Sequence, residues 1–247
     1  MYEGRRVIGL VPVLDEEQKI GSVVERVPTD VVDEIVVIDD GSTDRSPTVA
    51  RSRGATVIEL GLTVGVGAAL RTGYAYAQAH NFDIAVVMAG NNKDAPEEIP
   101  QLLDPIVDGQ ADFVQGSRWA HAQRNFGDMP RYRKVATRLH PLLFSAVARR
   151  HITDSTNGFR AVRVDVLRDP RLDLGASWLD GYELEPYLFL RVIRLGYRVV
   201  EVPVTKVYPP RHLGQTKMRP VVDWWSILRP LVYAATGTGP RRRGGRT

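Results

Sequence analysis

Apolar positions in the first half of the chain fall in short unbroken runs, separated by longer stretches in which apolar and polar residues alternate with a helical period. "RVIGLVPV" (6–13), "EIVVID" (34–39), "ATVIEL" (55–60) and "DIAVVMA" (83–89) are rich in β-branched residues, as strands buried on both faces are, and "DFVQGS" (112–117) reads as a fifth strand. Between them "EEQKIGSVVERV" reads as an amphipathic helix. "STDRSPTVARSRG" reads as a helix that opens on the cap residues Ser42 and Thr43 and closes at Gly54. "GVGAALRTGYAYAQAH" (65–80) is an Ala-rich helix, and Pro96 opens another over 96–106. Strands alternating with helices of this length predict an α/β fold with a mostly parallel sheet flanked by helices. Ligands of such sheets lie beyond the carboxyl ends of the strands. "PVLDEE", "DDGSTD", "GLTVGVG" and "AGNNKD" therefore share one rim.

The second half is less regular. "HAQRNFGDMPRYRK" (121–134) predicts a basic loop entering a helix near Pro130, and "VATRLHPLLFSAVARR" a helix interrupted at Pro141. "DSTNGFRAVRVDVL" (154–167) reads as a turn followed by a strand or a helix. "YELEPYLFLRVIRLG" (182–196) is a helix closed by Gly196, and "YRVVEVPVTKVYP" (197–209) a strand. With no internal repeat and no linker, one domain is expected over 1–236, ending in a helix, with a basic, disordered tail over 237–247.

Composition narrows the chemistry. The absence of cysteine excludes disulfides and thiolate metal sites, and the five His form no H-x-x-x-H pair of the kind zinc enzymes use. The net charge of +4 comes mostly from Arg, whose planar fork suits phosphate; it is weak support for nucleic acid, and no nucleic-acid partner is expected. No apolar run reaches the length of a membrane span, so a cytoplasmic protein is expected.

The rim turns carry the candidate chemistry. "VVIDDGSTD" (36–44) puts two carboxylates at a strand end beside residues that cap helices; Asp40 facing a ligand and Ser42 or Thr43 capping are compatible readings. A dinucleotide fingerprint needs G-x-G-x-x-G after the first strand, and "PVLDEE" has no Gly, which argues against a nicotinamide or flavin enzyme. The same turn lacks the Gly- and Lys-rich loop expected of a nucleotidyltransferase. Gly65 and Gly67 are assigned to close backbone approach at a helix start.

"VPVLDEEQKI", "IVVIDDGSTD", "GVGAALRTGY", "KDAPEEIPQLL", "DFVQGSRW", "DSTNGFRA", "GYRVVEVPV" and "RHLGQTKMRP" occur in the order found in glycosyltransferase family 2. Over roughly residues 6 to 220 the chain resembles that family, and within it the dolichyl- or polyprenyl-phosphate sugar synthases. The resemblance implies a GT-A, Rossmann-like fold and inverting transfer from a UDP- or GDP-sugar. It also implies that Pro12, Val13, Asp15, Glu16, Asp40 and Gly41 hold the nucleoside, with Arg71 near the diphosphate.

The family's D-x-D, which holds Mg²⁺ or Mn²⁺ on the diphosphate, falls here on Ala89-Gly90-Asn91, and the next ligand position on Lys93. Mg²⁺ prefers carboxylate and phosphate oxygen, so two missing carboxylates weaken any metal site. Three readings follow. The Lys93 ammonium partly substitutes for the metal; a shifted metal site forms from Asn91 and Asp94; or Lys93 is a solvated turn residue in an impaired enzyme.

Candidates to grip an acceptor phosphate are Arg118, Arg131, Arg133, Arg211 and Lys217, the last in a "GQTK" segment resembling the family's mobile loop. Taken singly, each also reads as part of a solvated basic face. A phosphate acceptor needs no general base, whereas a hydroxyl does. "WLDGYELE" (178–185) supplies Asp180, Glu183 and Glu185 for that role without the E-D pair of hydroxyl-glycosylating relatives, and acids at a helix start are also favourable with the macrodipole. The expected acceptor is therefore a polyprenyl phosphate, the alternative a soluble metabolite hydroxyl, and the rival from another class a non-catalytic nucleotide-sugar binding protein. "VVDWWSILRPLVYAA" followed by "RRRGGR" reads either as an interfacial helix giving peripheral membrane contact through 221–246 or as a core-packing helix with a loose tail.

Overall fold

A computed structural model describes residues 1–120, 126–210, 218 and 222–238. The strands are β1 (Val7–Val13), β2 (Glu34–Asp39), β3 (Thr56–Glu59), β4 (Ile84–Val87), β5 (Phe113–Ser117), β6 (Arg160–Arg163) and β7 (Val199–Pro203). They form one sheet in the order β3-β2-β1-β4-β6-β5-β7. β6 runs antiparallel to both neighbours, while the pairs β1–β2, β2–β3, β1–β4 and β5–β7 are parallel. The ambiguous segment after residue 154 is thus a strand, and its reversed direction makes the sheet mostly rather than wholly parallel.

The helices are α1 (Glu17–Glu25), α2 (Ser46–Ser52), α3 (Val66–Ala79), α4 (Ile99–Val107), α5 (Arg131–Ala148), α6 (Leu184–Arg194) and α7 (Val222–Thr236). Side chains alternate across each strand, so β1 feeds two cores. Val7, Val11 and Val13 pack with Ile20, Val23 and Leu102 from α1 and α4. Ile8 and Leu10 join Leu70, Phe144, Phe189 and Leu231 from α3, α5, α6 and α7. Helices on both faces leave the strand ends as the accessible edge of the sheet.

Two helix expectations need correction. α2 begins at Ser46 with Pro47 in its first turn, and Ser42 and Thr43 do not cap it. The turn is stitched to the end of β1 instead: the Ser42 hydroxyl accepts the Asp15 N–H (2.9 Å) and the Ser46 hydroxyl accepts the Glu16 N–H (2.7 Å). α5 runs straight through Pro141. Proline deprives the carbonyl four residues back of its partner, and the Trp119 indole N–H donates to that Thr137 carbonyl at 3.2 Å. β7 is shorter than the run predicted for it. It gives way at Pro203 to single bridges that pair Lys206 with Asp94 and Tyr208 with Gly127.

Candidate active site

A cavity of about 750 Å³ lies between the carboxyl rim of the sheet and helices α5 and α7. Pro12, Val13, Glu16 and Asp40 line its rim end. Asp40 is buried and accepts the N–H groups of Val64 (2.8 Å) and Gly65 (3.0 Å), which draws the loop before α3 over β2. Asp15 and Gly41, grouped with these from the sequence, lie off the cavity wall and shape the turns. Asp15, at φ +47°, accepts the Thr43 N–H at 2.8 Å. Gly41 sits at φ +79° with its missing Cβ position 2.6 Å from the Leu62 carbonyl carbon, a place only glycine fills.

Beyond β4 the chain lays Ala89, Gly90, Asn91 and Lys93 along the cavity. Lys93 is 4% exposed, so it is not a solvated turn residue. Its ammonium lies 4.9 Å from the centre of the Tyr208 ring, a cation–π contact. Burial first, then the charges of Arg133 and Lys206, lower its pKa to about 7, with Glu16 and Asp94 acting in the opposite sense. Asp94 is fully engaged: one carboxylate oxygen takes the Lys206 ammonium (2.5 Å), the other the Ala89 N–H (3.1 Å). It does not line the cavity. Asn91 does, and its side-chain oxygen is buried with no hydrogen-bond partner.

Of the five cations proposed for an acceptor phosphate, Arg118 and Arg133 line the cavity. Arg118 is buried against Asp154 (2.6 Å) and also reaches the Tyr208 hydroxyl (3.3 Å). Arg133, from the first turns of α5, approaches the same hydroxyl at 3.5 Å. Arg131 is exposed and off the wall. Arg211 and Lys217 lie outside the described residues.

The acids before α6 are held in ion pairs. Asp180 pairs with Arg71, whose guanidinium also donates to the Ala176 carbonyl (3.0 Å). Arg71 is therefore engaged with this loop and lies off the cavity wall. Glu183 is buried in an ion pair with Arg229 of α7 (2.5 Å). Glu185 does line the cavity, held by Arg160 at 2.9 Å. The loop itself is pressed against the start of α3: a Cβ on Gly65 would fall 2.4 Å from the Asp180 carbonyl oxygen, and one on Gly67 would fall 2.0 Å from that of Leu179. The close approach expected of these glycines is present.

The far end of the cavity is apolar, with Leu139 and Leu143 of α5 facing Trp224, Ile227 and Leu228 of α7. Several of these residues, with neighbouring Val135, Leu142 and Trp225, are also exposed at the surface. His140 sits beneath this end, bonded to the Ser155 hydroxyl at 2.7 Å, and burial lowers its pKa to about 4. His140, Arg160, Lys206 and Tyr208 were not singled out from the sequence, since they meet the site only through tertiary packing.

Residues 10–169 match the sequence profile of Glycosyl transferase family 2. The chain belongs to that family. Among its relatives, this family 2 glycosyltransferase is 32% identical to an undecaprenyl-phosphate mannosyltransferase of Micrococcus luteus, over 86% of this chain and 87% of that one. It is 33% identical to a dolichyl-phosphate hexose transferase of Haloferax volcanii, over 88% and 89%. In fold the glycosyltransferase resembles glucosyl-3-phosphoglycerate synthase of Mycobacterium tuberculosis, solved with Mn²⁺, UDP and phosphoglyceric acid. The TM-score is 0.67 at 24% identity, covering 97% of this chain and 81% of that one.

Proposed function

We propose that the protein transfers a hexosyl group, with inversion, from a UDP- or GDP-sugar to a polyprenyl phosphate. The observation that carries this reading is the order of chemistry along the cavity. A polar strand rim comes first, then a cluster of cations, then an apolar mouth between α5 and α7. A lipid phosphate entering from the mouth meets the same order in reverse, its chain against Leu139, Leu143 and Trp224 and its head group against Arg133 and Arg118. The nucleotide sugar takes the rim, with Pro12, Val13, Glu16, Asp40 and Asn91 around it. The names of the Micrococcus and Haloferax relatives point the same way.

The acid inventory supports a phosphate acceptor. A phosphate oxygen is anionic near neutral pH and attacks without a base, and Asp180 and Glu183 are committed to arginines. The acceptor oxygen forms its bond to the anomeric carbon from the face opposite the diphosphate. The carbon–oxygen bond to the diphosphate breaks with its electron pair going to the leaving group, and no proton need move. No helix among the described residues is long and apolar enough to cross a membrane. Leu142 and Trp225, 65% and 51% exposed, offer a surface for peripheral contact with the bilayer that carries the acceptor.

The test is sugar transfer from UDP- and GDP-hexoses to undecaprenyl phosphate, undecaprenol and a panel of soluble hydroxyl compounds. Transfer confined to the phosphate supports the reading. Transfer to soluble hydroxyls alone overturns it and directs attention to Glu185 as a base, while donor binding without turnover identifies a binding protein.

A further inference from the structure

The donor set after β4 does not fit a divalent cation. Mg²⁺ and Mn²⁺ want several hard, anionic oxygens. On the cavity wall this turn presents the neutral side-chain oxygen of Asn91, and both oxygens of Asp94 are already bonded. Among the described residues no group of three or more His, Cys, Asp or Glu could hold a metal. The surroundings oppose one as well. Lys93 and Arg133 line the cavity beside the Tyr208 ring, Lys206 and Arg118 line it while paired with Asp94 and Asp154, and around Lys93 the charges of Arg133 and Lys206 outweigh those of Glu16 and Asp94. The same cluster is well matched to an anion. Lys93 is buried among like charges, so it gains more than an exposed lysine would from a diphosphate placed against it.

We propose that this site holds the diphosphate of its sugar donor without a divalent cation, with the Lys93 ammonium, which shares the Tyr208 ring with Arg133 and is backed by Lys206, as the countercharge to the departing diphosphate. The inference rests on the nucleotide-sugar reading and deepens it. As the anomeric carbon–oxygen bond breaks, the leaving diphosphate gains one negative charge and the acceptor phosphate loses one. Lys93 donates its hydrogen bonds to the developing charge and keeps its proton. Lys206, anchored on Asp94 and on Asn157 (2.8 Å), holds the turn that presents Lys93.

The experiment is calorimetric titration of the full chain with UDP and with GDP, in EDTA and in Mg²⁺ or Mn²⁺, alongside transfer rates under the same conditions for the wild type, Lys93→Arg and Lys93→Met. The result expected is nucleotide affinity and turnover within about twofold with and without metal. Lys93→Met should lower kcat by about 100-fold, the scale of losing one preorganised donor to a developing charge, with a smaller loss of affinity. Lys93→Arg should keep EDTA-resistant binding. Binding or turnover that dies in EDTA and returns with metal overturns the inference and leaves the donor reading intact, whatever the variants do. EDTA-resistant turnover that survives unchanged in a folded Lys93→Met removes Lys93 from the role. No binding of either nucleotide under any condition overturns the donor reading and this inference with it.

Discussion

The Lys206 ammonium lies 2.5 Å from one carboxylate oxygen of Asp94 and 2.8 Å from the side-chain oxygen of Asn157. One side chain thus ties the turn after β4 to the segment after β7 and to the turn before β6. Both ion-pair partners are buried. Lys206→Met should destabilise the fold by about 3 kcal/mol or more in urea, because it strands a buried carboxylate. Adding Asp94→Asn should recover part of that loss, so the double variant should be more stable than the two single losses summed.

Lys93 should make nucleotide binding sensitive to pH. Its pKa in the free protein is about 7, set by burial and by Arg133 and Lys206, against Glu16 and Asp94 and under the Tyr208 ring. A diphosphate beside it raises that pKa, so binding takes up a proton above pH 7. Affinity should then fall by about tenfold per pH unit above 7 until the bound-state pKa is reached. Calorimetry in two buffers of different ionisation enthalpy reads the proton uptake directly, and Lys93→Arg should abolish it. In the free protein the sign on stability is opposite to that of a paired lysine. Between pH 7 and 10.5 the unfolded chain holds the proton that folded Lys93 has lost, so this group favours folding more as pH rises.

His140 should set an acid limit on stability. Its pKa is lowered by burial from 6.5 to about 4, so the unfolded chain binds a proton in that window while the folded one does not. Stability therefore falls as pH drops below 6.5, by up to about 3 kcal/mol at pH 4. Urea midpoints at about pH 7.5 and about pH 4.5 should converge in His140→Gln relative to the wild type. A shift of equal size in both proteins would assign the acid sensitivity to carboxylates instead.

The apolar face of α5 and α7 should govern attachment to vesicles. Leu142→Asn with Trp225→Asn should lower binding to polyprenyl-phosphate-containing vesicles several-fold in a flotation assay. These side chains are mostly outside the core, so the thermal midpoint should move by only a few degrees. Unchanged flotation would place the contact elsewhere.

Much of the α/β frame was legible because its strands are buried on both faces and so are written as unbroken apolar runs. "EIVVID" is β2 to the residue. β6 was ambiguous because four residues, "RAVR", are too few to show a period, and nothing local marks a reversed strand. Pro141 misled because its cost is met by Trp119, a residue more than twenty positions away, whose indole no local pattern connects to Thr137. The rim turns were found by position, but the partners of their side chains were not. Asp94 reads as an available ligand until Lys206 is seen on it. Nothing local to Arg71 announces its pairing with Asp180, more than a hundred residues away. Charge complementarity between distant segments leaves no trace in spacing.

The contact of Gly65 and Gly67 with the carbonyls of Leu179 and Asp180 has a mechanical meaning. The Ala68 N–H is bonded to the Asp180 carbonyl at 3.0 Å, and two backbones lie where no side chain intervenes, so the start of α3 and the loop before α6 form a single fixed jaw. The opposite wall, made by α5 and α7, meets this jaw through side chains, the Arg229–Glu183 pair among them. A side chain larger than hydrogen at either glycine would have to force the two backbones apart, so the spacing of this jaw is set by the main chain itself.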